Sequence, residues 1–393
     1  REQGSVHRDP GTGFYWVARH DAVVQGARDP ATFSSKSPLV VKKNLRPRAQ
    51  ALWDAAGLQI IDTLVTSDPP AHENYRAVGF GLFNPKKVSD MGPYIEKRVN
   101  EIIDALGADM EFDFVERIAT ILPSSIVCDE FGFPPEDRAR FKHWTDAIFG
   151  LMIPGISEDE ECALVERQIE LFRYLEDHIK HAQKHPSGRV IDALANMPRK
   201  DGTPFTMMER GWMAVATFVG ANDTTIGMLT GGVARLAADA ELQDRLRSDS
   251  ALIPPFIEEM LRLESSVESL IRVATRDVEI DGVMIPKGAD VLLCTASANR
   301  DEARWTDPDE FKLDRPDGRR HLGFGQGIHS CVGMHLARRL LFVAYETMLK
   351  RWSKIELVTQ NPSDELLPLP FHRAYRRMNV RVTPAAASDG RAG

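Results

Sequence analysis

The run Phe324-Gly325-Gln326-Gly327-Ile328-His329-Ser330-Cys331-Val332-Gly333 constrains this chain more than any other stretch. One cysteine follows a glycine-bearing loop and stands where a long helix begins, with Leu336, Leu340 and Val343 spaced to form one buried stripe. A helix N-terminus favours anions, so a cysteine placed there is expected as the thiolate, the form that ligates metal. Gly325 and Gly327 permit backbone conformations that fold the loop around the sulfur and leave N–H groups free to point at it. Gly333 leaves room for a flat cofactor against the helix. Three rival readings explain less. Gly323, Gly325 and Gly327 lack the spacing of a dinucleotide loop, and no clear apolar strand leads into them. His321, His329, Cys331 and His335 are legitimate zinc ligands, but they lack the paired short spacings of zinc fingers. A buried, inert thiol is the usual state of a cytosolic cysteine, and Cys331 taken alone would read as one.

Around this run the pattern is mainly helical. Val88 to Leu106 reads as one amphipathic helix with Val88, Met91, Ile95, Val99, Ile102 and Ile103 on one side, and helix fills most of the region from Glu136 to Leu263. Phe14 to Val17 reads as a short strand. Val278 and Ile280 precede the turn dipeptide Asp281-Gly282, after which Val283 to Ile285 and Val291 to Cys294 read as further strands. The fold class is therefore mainly α with a minor, segregated β portion, and no linker or repeat divides it. At 393 residues and 43% hydrophobic content the chain can bury a large core. Its net charge of -8 argues against nucleic acid as a partner, because neutralising phosphates needs a basic stripe. Cys128, Cys162, Cys294 and Cys331 are few and scattered, as in a reducing compartment, so a cytoplasmic location is expected. The most apolar helical stretch, Trp212 to Ala221, is too short to span a bilayer, and no membrane partner is expected.

Three further constellations carry chemistry. Gly220-Ala221-Asn222-Asp223-Thr224-Thr225 places an acid and two hydroxyls inside an apolar helix, where charge is rarely buried without purpose. Thr224 can bond back to the Gly220 carbonyl and bend or open the helix. Elsewhere these residues would read as a cap or surface turn. Glu-x-x-Arg occurs at Glu73–Arg76, Glu170–Arg173 and Glu259–Arg262. As an exposed pair it contributes only about 0.2–0.5 kcal/mol, so position decides among them. Glu259 and Arg262 follow Pro254-Pro255, a helix-start signal. Asp68-Pro69-Pro70-Ala71-His72-Glu73-Asn74-Tyr75-Arg76 and the run around Arg272 supply cationic groups whose bland reading is a solvated surface.

Phe324, Gly325, Gly327, His329, Cys331 and Gly333 together resemble the heme-binding loop of the cytochromes P-450, of the soluble, bacterial, ferredoxin-dependent type. The resemblance runs in the family's order from the strand near Phe14 to the carboxyl end. It implies the cytochrome P-450 fold as a single heme-thiolate monooxygenase domain over 1–393. Heme b, iron protoporphyrin IX, would be held through Cys331 as axial ligand, with Phe324, Gly325, His329 and Gly333 around it. His72, Arg76, Arg272 and His329 fill the propionate-binding places, where an arginine fork suits a carboxylate. Asp223 and Thr224 match the acid and alcohol pair that relays protons to iron-bound oxygen, and Glu259, Arg262 and Arg315 match an architectural charge cluster. Ala216, Thr217, Gly220, Leu270, Ile271, Phe371 and the segment between Ser37 and Ile61 match the substrate pocket.

Two departures stand out. Ala221 replaces the usual glycine, and Ser266 stands where many relatives have proline. The resemblance further implies electrons from a ferredoxin and its NAD(P)H-dependent reductase, and a monomeric enzyme. Arg338 and Arg339 would offer the ferredoxin local positive charge, unless they serve internal salt bridges. The apolar pocket residues favour a small terpenoid, aromatic or alkyl substrate. Lys42, Lys43, Arg46 and Arg48 leave room for a carboxylate, although a solvated basic face weighs more. A peroxygenase driven by hydrogen peroxide and a non-catalytic heme-thiolate sensor are the rival functions. The complete Asp223 and Thr224 pair counts against both.

Overall fold

The structure, a computed structural model, describes residues 4–37, 45–83, 85–108, 110–151, 153, 155–358, 365–367 and 371–386. Lys42 and Lys43, with the rest of 38–44, lie outside the described residues.

The longest helix, Met207–Ala237, starts where Thr206 and Glu209 form a reciprocal capping box, which satisfies two otherwise orphaned N–H groups. Apolar residues line it on nearly every side, and that is the composition of a helix buried all round. Against it pack Glu158–Lys184, Ile121–Glu130, Ile253–Leu263 and Met334–Arg351, among others. Ile253–Leu263 begins at the paired prolines as the sequence predicts. Met334–Arg351 follows Gly333 and buries Leu336, Leu340 and Val343 together.

The single helix expected over Val88–Leu106 is two, Pro85–Asp90 and Gly92–Asp104. Pro93 sits in the first turn of the second, where its missing N–H costs nothing, whereas inside one continuous helix its ring would clash with the preceding turn. The apolar face survives the break, with Val88, Met91, Ile95, Val99, Ile102 and Ile103 all buried.

Sheet content is small. Five strands pair in the order Val6–Arg8, Tyr15–Val17, Asp290–Leu293, Leu270–Ala274 and Phe33–Ser34. Leu270 lies opposite Leu293 and Arg272 opposite Val291, and this register fixes the wall of the cavity described below. Glu111–Asp113, Asn379–Pro384 and Trp352–Leu357 make a second sheet. Val278–Ile280 and Val283–Ile285 form the expected hairpin, with Asp281 at φ 47° and Gly282 at φ 80°, the positive pair that a tight two-residue turn demands. Among the described residues no helix is long and apolar enough to cross a membrane.

Candidate functional site

The cysteine loop is closed by its own backbone: Cys331 N–H donates to the Phe324 carbonyl at 2.8 Å. Gly325 and Gly327 have φ of 67° and 73°, in the left-handed region that favours glycine. Gly327 has a second constraint, since a Cβ there would lie 2.3 Å from the Ala27 carbonyl oxygen. The loop is anchored from behind by Glu258, which accepts from Arg338 Nε at 2.6 Å and Nη2 at 2.9 Å and pairs with His321 Nε2 at 3.0 Å. His321 Nδ1 accepts from Gly323 N–H, so its proton belongs on Nε2, facing Glu258. The Arg338 guanidinium also lies 4.6 Å over the Phe324 ring. Arg338 is thus an internal ion-pair partner, and the free docking cation expected of it is corrected. Arg339 packs against Gly92 and the Phe342 ring.

Of the three Glu-x-x-Arg patterns, only Glu259–Arg262 closes on itself. Arg262 meets both Glu259 oxygens at 2.8 Å, and Arg315 Nε reaches the same carboxylate at 2.9 and 3.1 Å. Arg262 is fully buried, and its remaining donors go to the carbonyls of Asn299, Pro308 and Glu310. Glu73 instead pairs with Lys200, Glu170 with Arg140, and Arg173 with Glu176.

A cavity of about 350 Å³ opens over the long helix. Ala216, Gly220, Leu270, Ile271 and Phe371 line it, together with the relay candidate Thr224 and with Ile60 and Ile61 from the end of the 37–61 segment. Thr217 is not among its lining residues; its hydroxyl donates to the Met213 carbonyl at 2.8 Å. The Thr224 hydroxyl donates to the Gly220 carbonyl at 2.9 Å, yet the helix runs without interruption from Met207 to Ala237, so the expected bend does not interrupt it. Asn222, fully buried, accepts from Ser124 at 3.0 Å and approaches Asp223 Oδ1 at 3.5 Å.

His72, Arg76, Arg272 and His329 converge beside the cysteine loop. The His72 and His329 rings are 4.3 Å apart, and Arg76 donates to the Ser330 carbonyl and to its hydroxyl. Burial, then Arg272, His72 and Arg76, push His329 down to about 3, and burial pulls Arg272 down to about 10 with Asp68 opposing.

With this geometry in place, the cytochrome P450 family model matches residues 62–373. The chain belongs to the cytochrome P450 family. It is 30% identical over 389 residues to cytochrome P450 109 of Bacillus spizizenii, covering 98% of this chain and 90% of that one. It is 28% identical over 387 residues to a linalool 8-monooxygenase of Pseudomonas putida, covering 98% and 94%. A solved cytochrome P450 from Chondromyces apiculatus superposes with a TM-score of 0.87 at 29% identity, covering 98% of this chain and 94% of that one. As a P450, the chain is a heme-thiolate monooxygenase.

The residues present fit a heme. Four donor side chains crowding together disfavour one another's charge, and an anion with several acceptor oxygens relieves that strain. His72 Nε2 is buried with no hydrogen-bond partner among the described residues, as a site awaiting an acceptor would leave it. A Cβ on Gly333 would meet only Cys331 Sγ, at 3.9 Å, so the sulfur's flank is open for a flat ring.

The helix begins at Met334, and burial pushes the Cys331 thiol above its ordinary value despite the Gly333 N–H and the charges of Arg76 and Arg338. With heme bound, the iron would hold the Cys331 sulfur as thiolate, because a coordinating thiol gives up its proton.

Sequence reasoning missed Ser35, whose hydroxyl meets His329 Nε2 at 2.9 Å, and Asp68, which accepts from Ser34 and from Ser35 N–H. It also missed the cavity contributions of Gln168, Trp212 and His372. Such residues carry no local signal, since only chain folding brings them to the site.

Proposed function

We infer that this P450 inserts one oxygen atom from O2 into a small hydrophobic substrate of terpenoid, aromatic or alkyl type. The observation that carries this is the cavity, whose walls are chiefly Ile, Leu, Val, Trp and Phe. Such a wall holds an apolar body by water exclusion and leaves orientation to a few polar groups. The linalool 8-monooxygenase among its relatives supports a terpenoid-sized guest. Arg46 and Arg48 do not argue for a carboxylate. Arg46 donates to the Ile156 carbonyl and Arg48 pairs with Asp159 at 2.7 Å, so both serve the start of the Glu158–Lys184 helix.

Heme b, when bound, supplies the iron at which dioxygen is activated, with Cys331 as its thiolate ligand. His72, Arg76, Arg272 and His329 hold its carboxylates, and Phe324, Gly325 and Gly333 shape the seat. Asp223 takes protons from solvent and Thr224 places them at the cavity floor. Electrons come from a separate ferredoxin reduced by an NAD(P)H-dependent reductase, and the enzyme works as a cytoplasmic monomer.

Compound classes are to be screened for the low-to-high spin change of the heme. Apolar terpenoids, aromatics or alkyl chains are expected to shift it, and a response confined to sugars, nucleotides or short carboxylates would refute the substrate class.

A further inference from the structure

Ser266 sits between the Ile253–Leu263 helix and the Leu270–Ala274 strand, with only 3% of its surface exposed. Its hydroxyl donates to the Thr224 carbonyl at 2.7 Å, and its own carbonyl accepts from Arg373 N–H at 2.8 Å. A helix-interior carbonyl has a second lone pair beyond the one used by its own helix, and the serine occupies it. The approach is close. A Cβ on Gly227 would lie 2.4 Å from Ser266 Oγ and 2.7 Å from the Arg373 carbonyl oxygen, so a glycine at that turn is what lets the two segments meet.

The link has one end in each half of the site. Thr224 lines the cavity and turns its hydroxyl to Gly220. Val267, Ser269 and Leu270, directly after Ser266, line the same cavity on another side. Arg373, next to the cavity residues Phe371 and His372, closes the circuit through its backbone and through its ion pair with Glu264 at 3.0 Å. A proline at 266 has no donor with which to make the contact, so the link belongs to chains that carry a hydroxyl there.

We propose that Ser266 is a positioning residue that ties the substrate-contacting wall to the Thr224 turn, so that a guest pressing on Val267 and Leu270 orders the turn that carries the relay hydroxyl. Its consequence for proton delivery rests on the relay reading given above. The tether itself does not.

The test uses hydrogen exchange of the holoenzyme, with and without cyclohexylbenzene, an apolar probe with no metal-ligating nitrogen. Two segments are followed, 218–230 and 264–273. In the unmodified protein the probe is expected to raise protection in both. In Ser266→Ala it should still protect 264–273, while the gain at 218–230 falls by roughly 2- to 10-fold, the range of one neutral hydrogen bond. Ser266→Thr should restore the gain. A role confined to general stability would loosen both segments alike, whether or not the probe is bound. Should the alanine variant fail to load heme, Ser266→Pro, which likewise lacks the donor, serves the same comparison. Equal gains at 218–230 in Ser266→Ala or Ser266→Pro and in the unmodified protein would overturn the tether, as would a threonine variant that behaves like alanine. Failure of the relay has a separate signature: Thr224→Ala would remain fully coupled while the exchange pattern stayed as described.

Discussion

At the scale of single residues, the site divides into groups that hold and groups that act. Cys331 holds: the carbon monoxide adduct of the reduced protein should show the red shift of thiolate ligation, and Cys331→Ser should lose it. Retention of that spectrum in the variant would refute the ligand assignment. Thr224 and Asp223 are the proposed proton relay, and their replacements should differ. Thr224→Ala should bind heme and keep consuming reductant while product falls and hydrogen peroxide rises, because the proton is no longer placed. Asp223→Asn should slow the whole cycle by about 10²–10⁴-fold, the usual contribution of a positioned proton carrier. Peroxide yield and turnover rate separate the two. Glu259 is a different case, since Arg262 has no surface exposure with which to recover water. Glu259→Gln leaves that charge without its partner, and a loss of about 3–5 kcal/mol is expected in denaturant unfolding.

At the scale of elements, the cysteine loop depends on what stands behind it. Glu258 joins the Ile253–Leu263 helix to Arg338 on the Met334–Arg351 helix and to His321 in the approach to the loop. Burial alone would raise its carboxyl, but the hydrogen bonds from Arg338 and His321 win and push it down to about 2. Because the folded value lies below the unfolded one, this anchor contributes stability above the ordinary glutamate range and loses it as pH falls from about 4.5 toward 2. Acid unfolding of Glu258→Gln should lack that component, and an unchanged acid profile would show that the anchor does not matter. Gly327 offers a second check. Alanine there is strained at φ 73° and meets the Ala27 carbonyl, so Gly327→Ala should lower heme loading far more than Gly318→Ala, whose Cβ would meet nothing within 4 Å.

At the scale of the whole molecule, the acidic total does not decide where an electron partner binds. Arg338 is committed to Glu258, so reversing its charge should reduce heme loading and stability at every ionic strength. A docking cation would instead change only partner-supported reduction, and that effect would fade as salt screens the pair. Measuring both across a salt series separates the roles.

Much of the fold and site was legible in the sequence because the chemistry is local. A cysteine between left-handed glycines and a helix start, an acid and alcohol inside an apolar helix, and an Asp-Gly turn each need only neighbouring residues to be recognised. Prolines also act locally, and at Pro93 the helix break wins over the apolar period that predicts one helix. Tertiary structure decided the rest. It chose one Glu-x-x-Arg pair of three, because only Glu259 and Arg262 fold into a dry interior beside Arg315. It left Thr217 out of the cavity lining and paired Arg338 with Glu258. It also brought Ser266 to the Thr224 carbonyl, a contact across 42 positions that no periodicity encodes. Patterns report which faces are apolar and which turns are tight, whereas burial and pairing between distant segments exist only once the chain has closed on itself.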